Sequence, residues 1–392
     1  NNSHVFFGID ENNNFLGGQY NSQYSNSLIG CEYSINNDIN WSEPINEGIQ
    51  NGENFTQHEI IKLPNGNYMG FVPVIEEHPI PTYTNYLDKR DTPFLWEGYD
   101  EEGEEADCFD YMSDDYKWKG EKIVEWDNDG QIVWEWNAFE FYNLNDFDFL
   151  AGKQDGHWNH ICSFGGGFTS YDWTHFNALA YDEIENAVYV SSRHLNRITK
   201  IDYNSKEIIW NMGLQWYGDI VIPFDDFFSG QHGLQLLPNG NIVTLDNGTH
   251  SQIYISDLST AVSRALEINV SVNNGQYSAT TVWSHTLPYD LYGFSSGNVQ
   301  KLNNGNYLIN TVGNIDGAYS IEVTPNHETA WKCKYNLGTY NNGPLYRAMR
   351  TKGLYEHEEN NLEINAIELP QSIQIKSIYP NPFNPIAIIQ FE

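Results

Sequence analysis

Positive charge is what this sequence has least of. Lys and Arg number 19 against 53 Asp and Glu, a formal net charge of −34. Neutralising phosphates takes clustered Lys and Arg, so nucleic acid is excluded as a partner, and so is an anionic membrane surface. Cysteine is also scarce. Cys31, Cys108, Cys162 and Cys333 are too few for a disulfide framework and lack metal-site spacing; one or two bridges and three complete pairings stay open. No apolar run approaches the ~20 residues of a membrane span, and helical periodicity is hard to find. Aromatics, at 15%, are too many for a disordered chain. The 392 residues are enough to bury a large core. The chain opens on Asn1 with no visible signal peptide, as a mature exported chain does. The expected location is outside the cell or at its surface, the periplasm included.

What is present is a β signal. Short runs rich in Val, Ile, Tyr and Trp alternate with Asn-Gly turns, the pattern of hairpins. One hairpin recurs: His58-Glu-Ile-Ile-Lys-Leu-Pro-Asn-Gly-Asn-Tyr, His232-Gly-Leu-Gln-Leu-Leu-Pro-Asn-Gly-Asn-Ile, and Gly297-Asn-Val-Gln-Lys-Leu-Asn-Asn-Gly-Asn-Tyr. His175-Phe-Asn-Ala-Leu-Ala-Tyr opens a fourth copy with a longer turn. A Trp-bearing strand follows at Trp134, Trp210, Trp283 and Trp331, with spacings of 76, 73 and 48, and Trp41 is a degenerate copy. Four strands per unit repeated about an axis is the β-propeller. The copies number five or six, and the uneven spacings imply long loops inserted on a common frame. A β-sandwich would not repeat one hairpin and one Trp strand in register.

Two regions stand apart from the repeat. Residues 76–120, rich in Pro, Glu and Asp, read as an insertion into a propeller spanning 1–355. Residues 356–392 read as a linker and tail, because Tyr379-Pro-Asn-Pro-Phe-Asn-Pro385 cannot sit in a central strand. That motif resembles the start of the carboxy-terminal sorting domains of type IX secretion, here cut short.

Three of the 12 His open a repeat: His58, His175 and His232. Equivalent positions on successive inner strands converge, so recurrence favours a shared site over three unrelated packing residues. Weaker metal candidates read as bland features. The acids from Glu97 to Asp115 match no calcium-loop spacing. Asp127-Asn-Asp-Gly130 is a hairpin turn, and His157 with His160 lacks partner ligands. No metal and no cofactor is expected.

The most specific segment is Asp172-Trp-Thr-His-Phe-Asn, followed by Val190-Ser-Ser-Arg-His and the later Gln231-His232. Together these resemble the bacterial arylsulfotransferases that need no nucleotide sulfate donor, over roughly residues 40–340. The resemblance implies a six-bladed propeller and a transiently sulfated histidine, His232, with His175, Asn177, Arg193 and His58 on the other active-site positions. Departures are Gly233 directly after His232, the lack of a Cys pair close behind it, and a much reduced amino-terminal domain.

The chemistry of these residue types agrees. A neutral imidazole is a nucleophile and a tolerable leaving group, which suits a two-step transfer. A second His can protonate the departing phenolate. Arg193 offers a planar, permanently charged fork for sulfate oxygens and Asn177 a neutral amide. The sequence therefore predicts an all-β, six-bladed β-propeller with long inserted loops. It would move a sulfuryl group from a phenolic sulfate donor to a phenol acceptor, both small molecules. The rival readings are a non-catalytic extracellular binding or assembly propeller and an aryl sulfate hydrolase.

Overall fold

The computed structural model describes residues 4–10, 12–21, 27–44, 58–79, 116–146, 171–216, 218–255, 260–312, 317–335, 345–351, 375–379 and 388–391. Five sheets, each built on four antiparallel strands in sequence order, follow one another along the chain, the second with one extra parallel strand. The first holds β1 (His4–Ile9), β2 (Phe15–Asn21), β3 (Ser27–Tyr33) and β4 (Ile39–Ser42). The second holds β5 (Ile60–Lys62), β6 (Tyr68–His78), β7 (Tyr116–Trp126) and β8 (Ile132–Asn137), with β9 (Tyr171–Asp172) pairing in parallel with β7. The third runs through β10 (Phe176–Asp182), β11 (Ala187–Ser192), β12 (Arg197–Asp202) and β13 (Ile208–Gly213). The fourth comprises β14 (His232–Leu236), β15 (Ile242–Asp246), β16 (Arg264–Asn273) and β17 (Gln276–Thr286). The fifth comprises β18 (Asn298–Lys301), β19 (Tyr307–Thr311), β20 (Tyr319–Val323) and β21 (Thr329–Lys334). A separate hairpin pairs β22 (Ile375–Tyr379) with β23 (Ile388–Phe391). The five sheets are the blades of a β-propeller.

The apolar cores lie between blades. Phe7, Leu16 and Trp41 of blade 1 meet Ile60, Tyr68 and Val124 of blade 2. Met69, Phe71 and Trp136 meet Phe176, Leu179 and Val190 at the next junction. Second strands are therefore covered on both faces. Every residue of β11, β15 and β19 is buried, and their apolar residues stand side by side rather than alternating with polar ones.

A cross-strand pair repeats in all five blades. Glu32, Glu125, Lys200, Glu267 and Glu322 on the third strands face Trp41, Trp134, Trp210, Trp283 and Trp331 on the fourth, and the register shifts directly beyond each pair. The carboxylate then grips the following blade. Glu32 accepts from Asn14, Asn40, Lys62 and Tyr68 at 2.6–3.0 Å, while the Tyr68 ring stacks on Trp41 at 3.9 Å. Glu267 accepts from Asn241 and Lys301 at 2.6 Å and from the Tyr307 hydroxyl, and Tyr307 stacks on Trp283 at 3.6 Å.

The expectation of six blades is corrected: among the described residues there are five. The repeat count allowed five or six and the resemblance chose six, whereas the Trp strands, Trp41 included, number five. After blade 5 the chain supplies one further inner segment, 345–351. Gln235 brackets the backbone N and O of Lys301 at 2.6 and 3.3 Å. Gln300 brackets Arg350 in the same way, at 2.8 and 3.1 Å. Arg350 thus sits where Lys301 sits one blade earlier and bonds Glu322 as Lys301 bonds Glu267. No tyrosine from a following blade stacks on Trp331 among the described residues, and its ring is 43% exposed.

The expected insertion 76–120 is shorter at its ends, because β6 runs to His78 and β7 starts at Tyr116. Residues 80–115 lie outside the described residues, as do the acids from Glu97 to Asp115, His157 and His160. Asp127–Gly130 is a turn, with Asp127 Oδ1 accepting from Asp129 N and Gln131 N. Cys31 and Cys333 carry free thiols; Cys108 and Cys162 lie outside the described residues.

The inter-blade clasp gives a pH-dependent prediction. Burial alone would raise the Glu267 pKa, but hydrogen bonds from Lys301, Tyr307 and Asn241 overcome it and hold the carboxyl below its usual range. Its contribution is present above the unfolded carboxyl's pKa and is lost as pH falls through the lower folded one. Tyr307→Phe keeps the ring on Trp283 and removes one charge-assisted hydrogen bond, a loss of roughly 1.5–3 kcal/mol at neutral pH. Denaturant unfolding should show that gap at pH 7 and show it closing below pH ~4, near the ordinary carboxylate range. An equal gap at both pH values would assign the loss to packing.

Candidate active site

The short strand-to-strand turns with Asn-Gly lie at one end of the blades. At the opposite rim, inner strands begin and second strands finish, and there the candidate residues meet. His58 stands two residues before the inner strand β5, His175 immediately before β10, and His232 opens β14. His58 and His175 both adopt left-handed backbone, φ 68° and 48°, a conformation that L side chains rarely take and that concentrates at functional sites. Arg193 and His194 follow the last residue of β11. Backbone bonds from Arg193 N to His175 O (3.0 Å) and from His194 N to Thr174 O (3.3 Å) draw that turn against β10.

The imidazoles form one cluster. The rings of His58 and His175 lie 4.8 Å apart, and His194 stacks on His175 at 4.4 Å. His175 Nδ1 donates to the Asp172 carboxylate and His194 Nδ1 to the Asp172 carbonyl, both at 2.6 Å. The Tyr346 hydroxyl donates to the His58 carbonyl at 3.2 Å and accepts from His58 Nδ1 at 3.1 Å. His232 Nδ1 lies 2.7 Å from Asn247 Oδ1 and 3.0 Å from Gly230 O, both acceptors. Each neutral ring thus carries its hydrogen on Nδ1, a tautomer assigned from its partners.

Four charged groups surround the cluster. Lys119 Nζ lies 3.8 Å from Asp172 Oδ1, and the Asp172 charge raises the ammonium pKa. Burial pushes the Asp172 carboxyl up, but Lys119 and His175 pull it well below its usual range. Glu121 accepts from the Thr174 hydroxyl and from Phe176 N. Burial, then the Asp172 charge, push its pKa up to about 7 against the pull of Lys119. Arg193, 3% exposed, donates to Phe294 O at 3.1 Å.

All five residues expected from the sequence sit at this rim. Their charges act on one another in pairs: Arg193 on His58 and His232, and His58 on His175 and His232. Asn177 is buried, with its amide donating to Gln231 O at 2.6 Å, so it ties β10 to the residue before His232. Gly233 has a positive φ of 71°, and a Cβ there would lie 3.0 Å from the Asn298 Cβ. That backbone requirement accounts for a permissive residue directly after His232.

The sequence reading did not single out Asp172, His194, Lys119, Glu121, Asn247 or Arg347. Asp172 and His194 stand inside the segments it quoted, three residues before His175 and one after Arg193. Arg347 bonds Glu59 at 2.6 Å, Asn177 O at 2.8 Å and Phe7 O at 3.2 Å, linking blades 1, 2 and 3 from the segment beside blade 5. No repeat signature marks that position, because no Asn-Gly turn follows it.

Asp172, His175 and His194 offer ligand atoms within 4.8 Å of one another. The set fits a metal ion poorly. The Asp172 carboxylate already accepts from His175 and faces the Lys119 ammonium, so a dication would meet a buried positive charge.

Burial keeps these rings uncharged. It lowers the His58 pKa to about 3, with Lys119 adding to the effect. His175 and His232 are also pushed well below the usual range, His232 by burial and then by the Arg193 charge. The unfolded chain binds these protons near pH ~6.5 and the folded one does not, so stability is lost as pH falls below that value. Each ring costs about 1.4 kcal/mol per pH unit. Nitrogen-15 spectra of histidine-labelled protein should show all three neutral at pH 5.5. A charged His58 at that pH would contradict the burial account.

A family model described as "Arylsulfotransferase (ASST)" matches residues 103–347. No curated protein sequence matches. Solved structures with some likeness include a protein of unknown function from Bacteroides caccae (14% identity, TM-score 0.29, covering 55% of this chain and 54% of that one). Another is the periplasmic gluconolactonase PpgL of Pseudomonas aeruginosa (8% identity, TM-score 0.36, covering 83% and 68%). A third is a putative glucose dehydrogenase of Thermus thermophilus (10% identity, TM-score 0.31, covering 76% and 72%). With more than half its length matched by that one family model, the chain belongs to the arylsulfotransferase family.

Proposed function

We propose that the protein transfers a sulfuryl group from a phenolic sulfate to a phenolic acceptor in two steps, through sulfated His232. The observation that carries this reading is His232 itself: a buried ring held neutral, hydrogen on Nδ1, beside Arg193. A neutral imidazole with an unprotonated nitrogen is a ready nucleophile.

In the first step Nε2 of His232 attacks sulfur. The S–O bond to the aryl group breaks, and its electron pair leaves on the phenolate. His175, oriented by Asp172, supplies the proton from Nε2. That ring is neutral at rest, and the negative charge of the incoming sulfate favours its protonated form. In the second step His175 takes the proton of an acceptor phenol, the phenolate oxygen attacks sulfur, and the N–S pair returns to His232. Arg193 and Asn177 hold the sulfate oxygens, and His58, protonated in the field of the bound sulfate, adds its Nε2–H. The chemistry calls for no cofactor. Export from the cell, with the Pro-rich tail as its sorting segment, belongs to the same proposal and rests on the acidic composition and the Tyr379–Pro385 motif.

His232→Ala should abolish transfer from p-nitrophenyl sulfate. Arg193→Lys should lose most of it, because a point charge does not replace a two-pronged donor. His175→Ala should be milder with a weakly basic leaving group than with phenolate, which needs the acid more. Protein quenched with excess donor and no acceptor should carry about 80 Da, one SO₃, on the His232 peptide of a covalent mechanism. Turnover undiminished without acceptor points to a hydrolase, and no turnover of any aryl sulfate points to a binding propeller.

A further inference from the structure

The sulfuryl reading requires one particular nitrogen of His232 to attack, and the structure shows what selects it. At one end of the ring, Nδ1 faces two oxygens, Asn247 Oδ1 at 2.7 Å and Gly230 O at 3.0 Å. Neither oxygen can donate, so Nδ1 bears the hydrogen. At the other end, Ser296 N lies 3.3 Å from Nε2. A backbone N–H only donates, so Nε2 bears the lone pair. The two ends agree independently.

The Asn247 amide cannot turn over. Its nitrogen donates to Gly293 O at 2.6 Å and to Ser296 O at 3.0 Å. A flipped amide would set its oxygen against those two carbonyls and its NH₂ against the imidazole N–H. The same loop supplies Phe294 O, which holds Arg193 at 3.1 Å, and Ser296 itself has φ 56°. Nucleophile, tautomer anchor and guanidinium are thus tied to residues 293–296.

We propose that Asn247 is a positioning residue that makes Nε2 of His232 the attacking atom. This rests on the sulfuryl-transfer reading and deepens it. When the Nε2–S bond forms and the bond from sulfur to the phenolic oxygen breaks, the ring becomes a sulfo-imidazolium and the electron pair departs with the phenolate. An amide oxygen is too weak a base to strip Nδ1. The proton stays, and the ring can leave as neutral imidazole when the acceptor takes the sulfuryl group. An Asp or Glu at this position would neutralise that charge and make the intermediate a poorer donor.

The test uses the full chain with labelled histidine, the His232 signals being identified by their loss in His232→Gln. The native protein should show Nδ1–H and an unprotonated Nε2 at pH 7. Asn247→Leu should shift His232 towards Nε2–H and slow adduct formation from p-nitrophenyl sulfate about 10²-fold or more, the scale of a wrong-tautomer histidine. Donor KM should change little, which separates lost orientation from lost binding. Nε2–H in the native protein overturns the proposal, and this measurement needs no variant to fold. An unchanged tautomer in a folded Asn247→Leu protein also overturns it, leaving Gly230 O as the anchor. A native Nδ1–H ring that shifts in Asn247→Leu but forms no adduct with any aryl sulfate overturns the sulfuryl reading while supporting the anchoring role of Asn247.

Discussion

The cross-strand pair between a third-strand carboxylate and a fourth-strand tryptophan sets where each blade meets the next. The carboxylate is nearly buried, so it must find partners. It finds them in its own blade's Asn residues and, at the blade 1–2 and 4–5 junctions, in the next blade's Lys and Tyr. The Trp indole receives the same Tyr ring. Hydrogen bonding, charge and stacking are satisfied together only in one register. Because that register repeats, inner strands start at the same height in every blade. Side chains far apart in sequence are delivered to one rim, as His175 and His232 are.

Where a junction departs from the pattern, the departure is informative. Blade 3 has Lys200 in place of the carboxylate, and this Lys lies over Tyr189 of its own blade, 5.2 Å from the ring centre. Blade 5 keeps Glu322 and Trp331, and among the described residues Arg350 is what reaches this pair from beyond the blade, with its guanidinium over the indole at 5.6 Å. Among the described residues, the segment 345–351 supplies an inner strand's contacts and none of a second strand's, and β21 is largely exposed.

Much of this was legible in the sequence because it is periodic. The Asn-Gly hairpins, the Trp strands and the recurring His are local signals, and each marked the element that forms. Trp41, a degenerate copy in sequence, caps blade 1 as the other four cap theirs. The repeat count left five or six blades open, and the resemblance chose six, with no sixth Trp strand behind it. The anchors of the site were harder to read, since their meaning is tertiary. Asn247 is one Asn among many until the fold puts it 2.7 Å from His232. Arg347 follows no repeat signature, yet it joins three blades near the axis. A buried guanidinium needs paired acceptors, and no spacing rule supplies that before the strands close around it.

The electrostatics of the rim explain how a chain of charge −34 can receive an anion. The excess acid elsewhere is a surface property and is screened within about 10 Å at ordinary ionic strength. At the rim, Lys119 offsets Asp172 and Arg347 offsets Glu59, both as close pairs. Arg193 is bonded there to a backbone carbonyl, and Glu121, with its pKa pushed up to about 7, loses its charge readily. The four histidines are held by hydrogen bonds to groups that orient them, and burial keeps His58, His175 and His232 uncharged. In the proposed reaction a sulfate monoester entering this site would bring the charge that the protein withholds. It raises the proton affinity of the histidines, above all of His175 on its carboxylate. In the proposed cycle, substrate binding would therefore create the acid that the first step consumes, while His232, hemmed in by Arg193 and acceptor oxygens, would keep its lone pair for sulfur.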